Sequence, residues 1–341
     1  MTDFRPTRRK ALKLTAASLA APALLSPATS AIAAGRADLD GAINRFVALA
    51  PKTTSCLVAA TPPQGPGWRA GSAPEQRLFV GSAVKTYILG QFLLDVESGR
   101  NQLSGTQLCT VSDAVRTPGS PVLIGLNGQT LFRTALESMI SHSDNISTDI
   151  TLAAVGPARV RELVSRMGLN TVRIPDSTRV LFSYLAGAPS GVDLGWDGMQ
   201  KLEHNEKVYY DNHLLSPRTD VINDKQSMTS SANDLVNWYQ QVLAGKVFTK
   251  PTSLVEFKRI SAMADAVWMT VPQGLLAYGK GGSLDWGTFH ALCFAGQMLV
   301  GKTPVTFSFT SNWLDGKTSG ERTEAFISAV SDVLKAAANA V

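Results

Sequence analysis

The 341-residue chain reads as an α/β protein in which one helix-and-strand domain is made from both chain ends and an all-helical domain is inserted between them. Three observations predict this. A helical pattern followed by a β-rich run opens the chain. A long middle shows helical patterns and loops, and strand-like runs with one last amphipathic helix close it. The α/β part is expected at 35–81 and 246–341, and the helical part at 82–245.

In order along the chain, Asp38 to Leu49 carries Leu39, Ile43, Phe46 and Val47 at helical spacing. Thr53 to Ala60 is β-rich, and the prolines and glycines of 62–67 are turn material. Ile88, Leu89, Phe92, Leu93 and Val96 predict one buried helix face, ending near Gly99. Turn signals at Thr117-Pro118-Gly119 and Asn127-Gly128 break a polar stretch, after which Thr130 reads as the N-cap of a helix bearing Leu131, Ala135, Leu136 and Met139. Ile146 to Val155 predicts another helix, stopped by Gly156-Pro157, and Val160, Leu163, Val164 and Met167 a further one, ended by Gly168. Residues 174–228, with scattered Gly and Pro, are expected as a long irregular loop. Ser231 to Asp234 reads as the capped start of a helix over Leu235 to Leu243, with Gly245 as its stop. Leu275 to Gly279, His290 to Val300 and Val305 to Trp313 predict strands, and Ala325 to Ala338 the closing helix.

A composition with 44% hydrophobic and 17% charged residues belongs to a globular chain. The net charge of +5 is misleading about partners. Arg5, Arg8, Arg9, Lys10 and Lys13, against Asp3, carry most of it, so the remainder is near neutral and nucleic acid is not an expected partner. Thr7 to Lys13 resembles a twin-arginine export motif. A short apolar stretch follows, then the small-residue site Ala31-Ile32-Ala33-Ala34. Residues 1–34 are therefore expected to be an export signal, and the rest a periplasmic or extracellular monomer with no stable membrane span. Cys56, Cys109 and Cys293 allow at most one bridge. Cys56 and Cys293 fall in apolar β-like runs and are expected as small core residues, with their pairing left open.

The chemistry centres on Gly81-Ser82-Ala83-Val84-Lys85-Thr86 at the head of an apolar helical run. Residues three apart on a helix are neighbours, so the Ser82 hydroxyl and the Lys85 amine are expected to meet. Serine needs an adjacent base to act as a nucleophile, and a desolvated lysine loses its proton readily enough to serve. The first turn of a helix adds unpaired N–H groups that favour developing negative charge. Further along stand Ser143-Asp144-Asn145 and Lys280-Gly281-Gly282-Ser283.

Ser-x-x-Lys, Ser-Asp-Asn and a Lys-Thr-Gly-like triplet in this order resemble the class A β-lactamases and penicillin-binding proteins, a likeness spanning most of 38–338. The resemblance implies an antiparallel sheet flanked by helices with an inserted helical domain. It implies Ser82 as the acylated nucleophile and Lys85 as its proton acceptor. Ser143 would pass a proton to the leaving nitrogen, and Asn145 would hold Lys85 and the substrate amide. Lys280 would supply a positive field and attract the substrate carboxylate, and the backbone N–H groups of Ser82 and Ser283, beside Gly282, would form the oxyanion hole. The expected partner is a small β-lactam or D-Ala-D-Ala-like substrate, with no cofactor.

Two departures stand out. Gly281 replaces a hydroxyl residue that would bind a substrate carboxylate. The loop glutamate that drives water onto the acyl-enzyme is missing from Arg173 to Arg179, which leaves Asp176, Glu203 and Glu206 as expected deacylation acids. The spacing of Glu203, His204, Asp211 and His213 matches no ligand pattern, so no metal is expected. The reading is an exported serine hydrolase acting on β-lactams, possessing a better-equipped acylation than deacylation step. The alternatives are a D,D-peptidase or esterase of the same fold, and a binder of penicillin or peptidoglycan that traps its ligand without turnover.

Overall fold

The computed structural model describes residues 27–315 and 319–341, so the twin-arginine-like motif and the apolar stretch to Leu25 lie outside the described residues. The first helix, α1 (Pro27–Val47), is longer than expected and runs through the small-residue site at 31–34. It is followed by β1 (Thr54–Ala60), β2 (Trp68–Ser72) and the short β3 (Leu78–Phe79). A 3-10 turn over Gly81–Val84 leads into α2 (Lys85–Glu97), and Gly99 closes that helix in the left-handed conformation glycine adopts freely.

The middle of the chain holds β4 (Leu108–Val111), β5 (Gly128–Leu131), α3 (Phe132–Ser141), α4 (Asn145–Val155) and α5 (Pro157–Arg166). Thr130 is not an N-cap. It pairs with Cys109 in the β4–β5 ladder, and α3 starts two residues later. Residues 174–228 are also more regular than expected, with α6 (Thr178–Leu185), α7 (Gly195–Glu203), the hairpin β6 (Tyr209–Tyr210) and β7 (His213–Leu214), and a return into β8 (Thr229–Ser230). Buried Arg179 explains much of this order. Its guanidinium donates to both Asp193 carboxylate oxygens and to the carbonyls of Asp113, Ala114 and Arg116. Arg218 in turn donates to the carbonyls of Tyr184, Gly187 and Ala188. Gly187 and Gly191 mark turns between short helices, whereas Gly195 and Gly198 lie within α7.

The chain then forms α8 (Ala232–Leu243), with Ser231 as the expected N-cap accepting the Asp234 N–H. After it come α9 (Pro251–Ser261), α10 (Asp265–Thr270), β9 (Leu276–Trp286), β10 (Phe289–Val300), β11 (Thr303–Trp313) and α11 (Ser319–Asn339).

Five strands form one antiparallel sheet in the order β2-β1-β11-β10-β9, so both chain ends build it. Alternation along the strands divides them between two cores. Cys56, Val58, Phe294, Phe307 and Phe309 pack with α1 and α11 on one face. Ala291, Cys293 and Ala295 face the larger core around α2, α3, α4 and α8. All three cysteines are free and buried, and burial raises Cys56 to about 11 and Cys293 to about 12, which keeps both as inert thiols. Helix α2 is seated on α8 through Trp238, which donates to Thr86 Oγ1 at 2.8 Å and lies against Gly90, where a Cβ would come within 2.7 Å of its ring. No helix among the described residues is long and apolar enough to cross a membrane.

Candidate active site

Ser82 is carried on the 3-10 turn between β3 and α2. That turn is held from both sides. Asn312 on β11 donates to the Phe79 carbonyl at 2.9 Å and accepts the Phe79 N–H at 3.0 Å, while the Val80 N–H donates to the Met228 carbonyl at 2.9 Å. Strand β9 presses on the turn through Gly282. A Cβ there would stand 2.1 Å from the Val80 oxygen and 2.8 Å from the Ser82 nitrogen, so only glycine lets the strand back onto the nucleophile. Gly81, at φ +52, is also pressed by β9, since a Cβ there would stand 2.8 Å from the Ser283 oxygen and 2.9 Å from its nitrogen. The Ser82 N–H makes no hydrogen bond among the described residues, as the opening of a helical segment allows. It and the Ser283 backbone therefore lie side by side.

Lys85 is fully buried at the first position of α2. Its Nζ donates to the Ser143 carbonyl at 2.6 Å, to Asn145 Oδ1 at 2.7 Å and, more loosely, to Ser143 Oγ at 3.4 Å. The spacing predicts contact with Ser82, yet no hydrogen bond among the described residues joins Lys85 to the Ser82 hydroxyl. Lys280, also buried, reaches the same Ser143 Oγ from β9 at 3.1 Å and donates to its neighbour's carbonyl, Gly281, at 2.7 Å. Ser143 is thus flanked by two amines. Its φ of +59 is a left-handed conformation that costs a non-glycine residue about 1 kcal/mol, and it turns both the carbonyl and the hydroxyl toward Lys85.

Asp144, between the two expected residues, builds this corner. One carboxylate oxygen caps α4 by accepting the Ser147 N–H at 2.8 Å, and the other accepts the N–H groups of Val122 and Leu123 at 2.9 Å each. The 117–124 loop is thereby tied to the head of α4. Asn145 closes the contact, donating Nδ2 to the Pro118 carbonyl at 2.7 Å while its oxygen receives Lys85.

Burial, reinforced by the charge of Lys280, holds the Lys85 amine well below the ordinary lysine range against the opposing carboxylates of Asp149, Asp144 and Asp265. Burial brings Lys280 down to about 8, with Asp265 acting the other way. Asp149, a turn further along α4, is pushed up by burial although it accepts the Thr178 and Arg179 N–H groups and the Thr117 hydroxyl.

The remaining expected residues divide. Gly281, Gly282 and Ser283 line, with Ser143 and Lys280, a cleft of ≈ 140 Å³ under α10. Asp176 accepts Arg161 at 2.7 Å and Gln226 at 2.6 Å. Although burial works upward on it, those hydrogen bonds keep its carboxyl below the usual range. Glu203 and Glu206 are exposed at the end of α7, and Glu206 faces a separate cavity beside Asp285 and Trp286. No hydrogen bond among the described residues joins any of these three acids to Ser82, Lys85, Ser143 or Lys280. Sequence reasoning missed Asp144, Asp149 and Asp265. The capping position of Asp144 is a signal available in the sequence, whereas Asp265 reaches the cleft only through the packing of α10. No group of three or more His, Cys, Asp or Glu side chains among the described residues is arranged to hold a metal.

A five-stranded antiparallel sheet closed by the terminal helices, with these three motifs brought into contact through Lys85, Ser143, Lys280 and Gly282, defines a β-lactamase-type serine hydrolase fold. The family model described as the beta-lactamase enzyme family matches residues 38–335, and the chain belongs to that family. Among solved structures, a β-lactamase from Chitinophaga pinensis is similar at a TM-score of 0.65 and 17% identity, covering 88% of this chain and 99% of that one. The chromosome-encoded β-lactamase of Vibrio parahaemolyticus gives 0.63 and 16%, with 87% and 98% covered. A β-lactamase from Sphaerobacter thermophilus gives 0.61 and 18%, with 87% and 95% covered. At such identities the likeness is one of fold. No curated protein matches the sequence.

Proposed function

We propose that the protein is an exported serine acyl hydrolase that β-lactams acylate at Ser82 and that releases the acyl group slowly. The observation carrying this reading is the placement of Lys85, a buried amine whose two shortest hydrogen bonds go to uncharged acceptors, Ser143 O and Asn145 Oδ1. Burial disfavours the ammonium form. In the neutral form its two hydrogens would serve those acceptors and its lone pair would be left to take a proton.

In the proposed reaction Ser82 Oγ bonds to the acyl carbon while its proton passes to Lys85. The carbonyl π electrons move to oxygen, where the Ser82 and Ser283 N–H groups receive the charge. When the tetrahedral species collapses, the carbon–nitrogen bond breaks and its electron pair stays on nitrogen. Ser143 delivers a proton to that nitrogen and is resupplied by Lys85, to which it is hydrogen-bonded. Lys280, donating to the same hydroxyl, favours the transient negative charge on Ser143 oxygen.

Water then has to attack the acyl-enzyme. The engagement of Asp176 by Arg161 and Gln226 supports slow release, with Lys85 rather than Asp176, Glu203 or Glu206 activating water. The same observation favours a second reading, an esterase or D,D-peptidase of this fold. The basic leader supports export to the periplasm or beyond.

Turnover of nitrocefin, a p-nitrophenyl ester and a D-Ala-D-Ala peptide by wild type and Ser82→Ala separates these readings. Nitrocefin hydrolysis lost in Ser82→Ala is the expected result. Turnover of the ester or peptide alone selects the second reading, and activity unaffected by Ser82→Ala overturns both.

A further inference from the structure

The cleft beside Lys280 differs in charge from one built for an anionic group. Gly281 has no room for a side chain on its cleft face, because a Cβ there would lie 3.0 Å from the Ala266 Cβ and 3.8 Å from Asp265 Oδ1. The first turn of α10 occupies the space where a hydroxyl would project. What it presents there is a carboxylate. Asp265 Oδ1 accepts the N–H of Ala266 at 2.7 Å, and its second oxygen makes no hydrogen bond among the described residues. Lys280 is the one cation lining the cleft among the described residues, and its amine already donates to Ser143 Oγ and the Gly281 carbonyl. Much of the remaining lining is apolar, with exposed Met269 and buried Phe294 and Phe326.

We propose that Asp265 makes this cleft a subsite for a hydrogen-bond donor that bears no negative charge, an amide or an amine, and that it selects against acyl substrates carrying a carboxylate at that position. An incoming carboxylate would meet a like charge on Asp265 and find the Lys280 hydrogens largely engaged. A donor would satisfy the free carboxylate oxygen, and an apolar body behind it would fill the rest of the cleft. Specificity here comes chiefly from repulsion of the wrong group. This inference rests on the acyl-transfer reading above and narrows it: β-lactams, which carry a carboxylate beside the reacting amide, acylate Ser82 less readily than uncharged acyl compounds of similar size.

The test uses one p-nitrophenyl ester scaffold in three forms, ending in a carboxylate, a primary amide or an amine, with the full-length exported protein. Wild type is expected to show a KM for the carboxylate form about tenfold or more above that of the amide form, the scale of one like-charge contact partly screened by solvent. Asp265→Asn should bring the two within about twofold, chiefly by lowering the KM for the carboxylate form. A side chain with a merely structural role would change all three substrates together. Intact-mass detection of an adduct on Ser82 accompanies each assay. If adducts form but wild type handles carboxylate and amide equally, or Asp265→Asn leaves their ratio unmoved, the subsite is wrong and the nucleophile stands. If no form labels Ser82, the acyl-transfer reading falls and this inference with it. Asp265→Ala serves as the second variant should the asparagine disturb α10.

Discussion

Lys85 Nζ donates to Asn145 Oδ1 at 2.7 Å across the seam between the first turns of α2 and α4. Both side chains are buried, and the other end of the Asn145 amide is fixed on the Pro118 carbonyl. A neutral oxygen orients the amine without supplying the negative charge that would keep it protonated. The burial of Lys85 and the charge of Lys280 then hold its pKa well below the ordinary range.

Replacing that oxygen by a charged one should undo the arrangement. In Asn145→Asp a carboxylate within hydrogen-bond reach favours the ammonium form, so Lys85 gives up its proton only at higher pH. The acid limb of the acylation rate is expected to move upward, and the rate at neutral pH to fall about 10²-fold or more. Stopped-flow acylation across pH checks this, and an unmoved limb would remove Lys85 as the base.

Lys280 supplies a second pH signature. With its pKa brought down to about 8, it is charged below that pH and neutral above, so the field it provides fades as pH rises through about 8. The alkaline limb of kcat/KM is expected there, and Lys280→Arg should shift it upward because guanidinium stays charged. The same group affects stability. Between about 8 and the ordinary value of 10.5 the unfolded chain binds a proton that folded Lys280 has lost, so its contribution to stability improves with pH across that window. Denaturant titrations at several pH values should show this slope flattened in Lys280→Met.

Ser143 joins strain to chemistry. Ser143→Ala and Ser143→Gly both remove the hydroxyl, and leaving-group protonation should slow about 10²-fold in each. Only glycine relieves the φ of +59, so Ser143→Gly is expected to be about 1 kcal/mol more stable than Ser143→Ala by thermal or denaturant unfolding. Equal stabilities would mean that the conformation is not strained in solution.

Asp144 is expected to matter to folding first. Asp144→Ala removes the α4 N-cap and leaves two further backbone N–H groups without their acceptor. A loss of about 2–4 kcal/mol follows from a cap plus buried unsatisfied donors. Activity should fall too, since the loop carrying Pro118 no longer fixes Asn145.

Much of this protein is legible from local signals. The ends of α2, α4 and α5, the N-cap at Ser231 and the three long C-terminal strands follow from periodicity, glycine stops and capping residues, which act over a few neighbours. The gathering of Lys85, Ser143, Asn145 and Lys280 is foreshadowed by motif order. What escapes a local reading is set by distant partners. Thr130 has a capping side chain but is claimed by the β4–β5 ladder. Arg179 and Arg218 order a segment whose own composition reads as loop, because the carbonyls they bind are far away in sequence or lie in turns. The amine of Lys85 turns from Ser82 toward α4, a choice fixed by where α4 sits and not by the spacing of three. Asp265 faces Gly281 only because α10 folds back over β9.

Acylation of Ser82 followed by slow release can be read from the intact mass of the protein over time after mixing with excess benzylpenicillin. A mass increase of one whole penicillin, absent from Ser82→Ala and decaying over minutes or longer, is the predicted result. Hydrolysed penicillin with no adduct at any time and a fully active Ser82→Ala would contradict it.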